Sequence, residues 1–119
     1  SIKDNLALSL LMSSRKKIQV RAEKVFRLIP PKIFKDYKIS LDETLVEAGS
    51  GTLPSVKFES VAFRITSKKY SASTISSRFR NAKQPVVGYI KNNNFYLDFK
   101  SIIPSQEKFL ILSITEALD

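Results

Sequence analysis

Residues 85–99, PVVGYIKNNNFYLDF, alternate apolar with other side chains on both sides of a run of three asparagines. Before the run, Val86, Gly88 and Ile90 share one parity and Val87, Tyr89 and Lys91 the other. After it, Phe95, Leu97 and Phe99 oppose Tyr96, Asp98 and Lys100. A period of two is the side-chain period of a strand, and a one-sided apolar set suits a sheet with one face against a core. Asn92, Asn93 and Asn94 supply the loop, because asparagine enters the left-handed region more readily than most residues. The stretch predicts a hairpin around which the rest of the chain has to pack.

The remaining segments divide into helix and strand patterns. The apolar run within residues 1–12 (Leu6, Leu8, Leu10, Leu11, Met12) is too short for periodicity to assign. Ser13 and Ser14 are placed to cap a helix whose apolar stripe is Ile18, Ala22, Val25, Phe26 and Ile29. Pro30 and Pro31 end it, since proline lacks an N–H and pushes its predecessor out of the α region. Residues 33–39 then read as a strand, 41–43 as a turn and 44–48 as a short strand. Residues 49–55, GSGTLPS, hold two of the three glycines. Val61, Phe63 and Ile65 alternate with Ala62, Arg64 and Thr66 in a strand over 56–66. Ser71 caps a second helix to about Ala82, with Ile75, Phe79 and Ala82 inward and Arg78 and Arg80 outward. Pro104 leads a last helix over 105–118, with Phe109, Leu112, Ile114 and Ala117 as its apolar positions and Leu110 and Ile111 widening the face. Short connections between strands favour antiparallel pairing. The expected fold is α+β: a small two-layer domain with a mostly antiparallel four- to five-stranded sheet and helices on one face.

Composition narrows the chemistry. The 119 residues suffice for one domain with its own core. The chain contains no Cys and no His, which removes thiolate metal sites, Cys nucleophiles, Ser-His triads and the commonest general base. No apolar run is long enough to span a membrane, and the lack of cysteine fits a cytoplasmic protein. No phosphate-binding glycine loop, zinc-protease motif or calcium loop is present, so no catalytic or metal-ligating residue is assigned. The net charge of +9 is carried by 14 Lys and 6 Arg that are scattered in short clusters. Such a balance suits an anionic partner, while lysines spread over solvated faces are its plain alternative.

Three stretches resemble one family. PVVGYIKNNNFYLDFKSIIPSQEKFL is similar to the C-terminal signature of bacterial selenocysteine synthases: a Pro-Val-hydrophobic-Gly strand, a polar turn, a Leu-Asp-hydrophobic strand, then a Leu-Pro and an acidic helix start. GSGTLPS resembles that family's glycine-rich segment, with Ser50 in place of a Gly and Thr52 in place of a Ser. Arg21-Ala22-Glu23 resembles its Arg-Ala-Glu helix. The resemblance covers roughly residues 10–118. It implies a homo-oligomeric, pyridoxal phosphate-dependent enzyme that converts seryl-tRNA(Sec) to selenocysteinyl-tRNA(Sec) with selenophosphate. A large domain would hold the cofactor on a lysine, and a small C-terminal domain would close over the site. Residues 13–119 would be that small domain, inactive alone, and residues 1–12 the end of the linker, covered by the large domain. No lysine here matches the cofactor lysine. The loop residues Gly49, Ser50, Gly51 and Thr52 would lie near the active site, and Arg78 and Arg80 would face the tRNA. Two other readings fit the same residues: the small domain of a related pyridoxal phosphate lyase acting on an amino sugar phosphate, and a stand-alone basic RNA-binding module.

Overall fold

The computed structural model describes residues 2–48 and 56–119 and, of these, the side chains of all but 2–14, 46–48 and 56. Its strands are β1 (Tyr37–Ala48), β2 (Val56–Ser67), β3 (Tyr89–Lys91) and β4 (Asn94–Asp98), and its helices α1 (Ile2–Leu28), α2 (Ala72–Arg80) and α3 (Glu107–Leu118). All three strand pairings are antiparallel, in the order β1-β2-β4-β3. The α+β layer fold expected from the sequence is therefore present, with four strands.

The register separates two faces. Ile39, Leu41, Phe63, Ile65, Phe95 and Leu97 lie on one of them, with Leu41, Phe63 and Leu97 in one cross-strand row and Ile39, Ile65 and Phe95 in the next. The helices cover this face. Phe26 of α1 meets the edge of Phe63 at 6.1 Å between centroids, and Phe79 of α2 stacks on Phe95 at 5.3 Å. Ile18, Ala22, Val25 and Ile29 make the buried stripe of α1 and its exit, and Ile114 and Leu118 close the core from α3. Large apolar groups removed from water on one face supply most of the stability of such a layer.

Several elements differ from the sequence expectation. Helix α1 begins at Ile2, so Ser13 and Ser14 lie inside it and do not cap it. Residues 2–12 contain neither Gly nor Pro, and extending an existing helix costs far less than nucleating one. Residues 31–35 form a 3-10 turn led by Pro31, not the start of a strand. The predicted turn at 41–43 does not exist: β1 runs through it, because every residue from Tyr37 to Ala48 has a partner on β2. Those three residues, Leu-Asp-Glu, offer no glycine, proline or asparagine to stop a ladder.

The hairpin is shorter than its pattern. Lys91 pairs with Asn94, so the loop is Asn92-Asn93, both at positive φ (52° and 63°), as a two-residue turn with the strand's own twist requires. Residues 85–88 lie outside β3, and Gly88 passes against β4, where a Cβ would meet the Tyr96 carbonyl and ring atoms of Phe95 at 2.6 and 2.7 Å. In α3 the buried positions are Leu110, Ser113, Ile114, Ala117 and Leu118, while Phe109 and Leu112 face outward. Ser113 holds a core position because its hydroxyl donates to the Gln84 carbonyl at 2.7 Å. Helix α2 matches expectation: the Ser71 hydroxyl accepts from the Thr74 N–H, and Ile75, Phe79 and Ala82 are buried.

Candidate functional site

The opposite face of the sheet points away from the apolar core, although Ser60 and Ala62 on it are fully buried. Its side chains are the even-numbered residues of β1, β2 and β4 and the odd-numbered ends of β3. One row crosses all four strands: Ser40, Arg64, Tyr96, Tyr89. The next row is Asp42, Ala62, Asp98. Past Ala62, β2 has no partner on β4, and β1 and β2 continue alone as a two-stranded ribbon.

Asp98 sits where the ribbon departs. Its carboxylate is buried and accepts from the Ser60 hydroxyl at 2.6 Å, the Thr44 hydroxyl at 2.7 Å and the Lys100 N–H at 2.9 Å. The three donors come from β2, β1 and the 3-10 turn Phe99–Ser101, so one side chain ties the ribbon to the end of β4. No cation among the described residues pairs with this carboxylate, and a buried charge needs such donors. Beside it, Arg64 lies 3.4 Å from Asp42 and donates to the Ser40 hydroxyl. Tyr89 and Tyr96 stack at 5.2 Å with 14° between their planes. Burial, foremost, and the neighbouring Asp98, Tyr96 and Asp42 push the Tyr89 hydroxyl above its ordinary value, so it stays protonated and able to donate. A groove of about 800 Å³ opens at this edge between the ribbon and β3, with Tyr89, Lys91 and Asp98 on one side and Arg15 bridging Glu43 and Glu59 on the other.

The residues singled out in the sequence divide in three ways. Gly49, Ser50, Gly51 and Thr52 lie outside the described residues. Arg80 is exposed near the end of α2. Arg78 is half-buried: it donates to the Tyr37 hydroxyl at 3.0 Å and its guanidinium lies 4.1 Å from the Tyr70 ring centre. The resembling stretches do meet. Arg21 of the Arg-Ala-Glu segment pairs with Glu107, donates to the Ile102 carbonyl and lies over the Phe99 ring, all within the C-terminal signature. Sequence reasoning missed Thr44, Ser60 and Asp98 as a set, since 54 and 38 positions separate the two hydroxyls from the carboxylate.

The described residues form no metal-ligating cluster, and no described helix is long and apolar enough to cross a membrane. They do not fit pyridoxal phosphate either. A lysine that forms a Schiff base needs an enclosed, desolvated position, and every lysine whose side chain is described is exposed.

The four-stranded antiparallel sheet, its helices and the two-stranded ribbon define a small α+β domain. The model of the L-seryl-tRNA selenium transferase family matches residues 1–103, and the chain belongs to that family. Among its relatives, the L-seryl-tRNA(Sec) selenium transferase of Haemophilus influenzae (strain PittEE) is 27% identical over 96 residues, covering 80% of this chain and 21% of that protein. The protein of the same name from Moorella thermoacetica is 23% identical over 119 residues, 100% of this chain and 25% of its own length. That of Alkaliphilus oremlandii is 28% identical over 72 residues, or 60% and 15%. The chain thus spans a quarter or less of the length of these relatives.

Proposed function

We propose that this chain is the small C-terminal domain of a pyridoxal phosphate-dependent enzyme that converts seryl-tRNA(Sec) to selenocysteinyl-tRNA(Sec) with selenophosphate. The observation that carries this reading is the family match over residues 1–103, on a chain about a fifth to a quarter as long as those relatives. The cofactor, when bound to the large domain, supplies the electron sink. This domain contributes packing and orientation. Arg21 locks α1 to the start of α3, and Asp98 fixes the direction of the ribbon whose two strands lead into and out of residues 49–55. In this reading Gly49, Ser50, Gly51 and Thr52 serve the active site, where backbone N–H groups of a glycine-rich turn suit an anion. Residues 1–12 are the end of the linker, covered by the large domain, and the protein works as a homo-oligomer in the cytoplasm. Of the two arginines proposed to face tRNA, Arg80 is the one without a tyrosine to hold it.

The test is selenium transfer to seryl-tRNA(Sec) by the full-length protein and by the 119-residue chain alone. Turnover by the full-length protein and none by the chain is the expected result; turnover by the isolated chain, or none by either, overturns the reading. In the full-length protein, Gly51→Val is expected to lower turnover while the far-UV spectrum stays unchanged. Undiminished turnover removes the loop from the active site.

A further inference from the structure

The face of the sheet opposite the core combines two features that no single segment of the sequence displays. The first is aromatic. Tyr89 is 42% exposed, and it stacks on Tyr96, which follows Arg64 in the row that crosses the sheet. Farther along the same face is Phe58, with the Lys100 ammonium 5.2 Å from its ring centre. The second is charge. Lys38, Arg64, Lys91 and Lys100 reach this face, against two carboxylates on its strands, Asp42 and Asp98, while Glu43 and Glu59, both held by Arg15, line the groove at its edge. Asp42 is paired with Arg64, and Asp98 is 7% exposed and holds three neutral donors. Lys38 and Lys91 have no carboxylate partner among the described residues and stand on the two outermost strands of the sheet. Lys38 pairs with Thr66 and Lys91 with Asn94, so both lie one row beyond the tyrosine row, on the same side of it, roughly 14 Å apart across four strands at the usual spacing.

We infer that this face binds a single-stranded RNA segment, its bases stacking on Tyr89 and Tyr96 and its phosphates running between Lys38 and Lys91. Aromatic rings on an open sheet suit unstacked bases, which a duplex does not offer, and the unbalanced cations at both edges suit a backbone that carries one charge per nucleotide. The Thr66 hydroxyl beside Lys38 offers a donor to phosphate or ribose, while the Ser40 hydroxyl is held by Asp42. The inference rests on the proposed function only for the source of the RNA, the unpaired end of a tRNA.

The experiment is titration of the 119-residue chain with a 12-nucleotide single-stranded RNA and with a duplex of the same length, at two salt concentrations. The chain has no Trp and four Tyr, so tyrosine fluorescence reads stacking directly. Expected are quenching by the single strand, weaker binding of the duplex, and affinity that falls as salt rises. Tyr89→Ala, at an exposed edge, is expected to weaken binding roughly 5- to 100-fold, and Tyr89→Phe to restore it. Lys91→Gln is expected to lower the salt slope by about one counterion. Absence of binding, equal affinity for duplex, or affinity indifferent to Tyr89→Ala and Lys91→Gln in variants with unchanged circular dichroism overturns the inference. So does a face that joins two copies of the chain, seen as a dimer in sedimentation that Tyr89→Ala dissociates. Either failure leaves selenium transfer by the full-length protein, the test of the proposed function, untouched.

Discussion

At the scale of single residues, Gly88 and Asp98 hold the hairpin in place for different reasons. Gly88 is needed for space: a methyl group there has to displace the Tyr96 backbone or the Phe95 ring, and Phe95 is fully buried. Gly88→Ala is expected to cost about 1–3 kcal/mol, the usual range for overpacking, measured as a lower midpoint in urea unfolding. An unchanged midpoint shows that β4 can shift. Asp98 is needed for acceptors. Asp98→Ala leaves the buried Ser60 hydroxyl with no partner and releases Thr44 and the Lys100 N–H. Hydrogen bonds to a charged group contribute roughly 1.5–3 kcal/mol each, and a stranded buried donor costs a further 1–3. A loss of at least about 3 kcal/mol is therefore expected, with Asp98→Asn losing less because one oxygen remains. If the alanine variant unfolds at the wild-type midpoint, the carboxylate is not what ties the ribbon to β4.

At the scale of elements, what could be read from the sequence depended on how locally each element is specified. Helix α2 was legible because its cap and three of its buried residues sit within a dozen positions. The hairpin was legible because alternation and asparagines act over single residues. Strand β1 was not. Its continuity comes from a partner strand that satisfies each backbone group, and that information lies in β2. Helix α3 shows the same limit from another side. Its sequence is apolar at most positions, so periodicity left two faces open, and Ser113 on the buried one argued for the wrong choice. The candidate site was hidden for the same reason as β1: Thr44, Ser60 and Asp98 meet only once the register is known. The α3 assignment predicts a clear contrast. Leu110→Ala is expected to cost about 2–5 kcal/mol as a core truncation, whereas Leu112→Ala, 62% exposed, should stay within about 0.5 kcal/mol. Chemical denaturation of both variants checks it, and comparable losses at the two positions return the helix to the face its periodicity first indicated.

At the scale of the whole molecule, the chain's response to alkali follows from two tyrosines on opposite faces of the sheet. Burial is the main cause that raises the Tyr37 hydroxyl above the ordinary 10.0; Tyr70 and Asp36 add to it, while the Arg78 contact opposes it. Tyr89 is raised likewise, by burial and then by Asp98, Tyr96 and Asp42. In the unfolded chain both hydroxyls return to the ordinary value. The folded state therefore holds these protons more tightly, and the unfolded state loses them first as pH rises. Stability from this source is complete below pH 10.0 and is lost as pH climbs through the folded values. The urea midpoint should accordingly change little from neutrality up to about pH 9 on account of these groups, then fall above pH 10. The two positions can be separated, because Phe has no proton to lose. Tyr37→Phe and Tyr89→Phe should each flatten the fall above pH 10, and the double variant should flatten it most. Tyr37→Phe also removes the acceptor for Arg78, so its midpoint at neutral pH should drop while its alkaline slope improves. Opposite signs in the two pH ranges are what a raised phenol held by a guanidinium requires, and a slope above pH 10 that neither substitution alters means the alkaline transition belongs to the lysines instead.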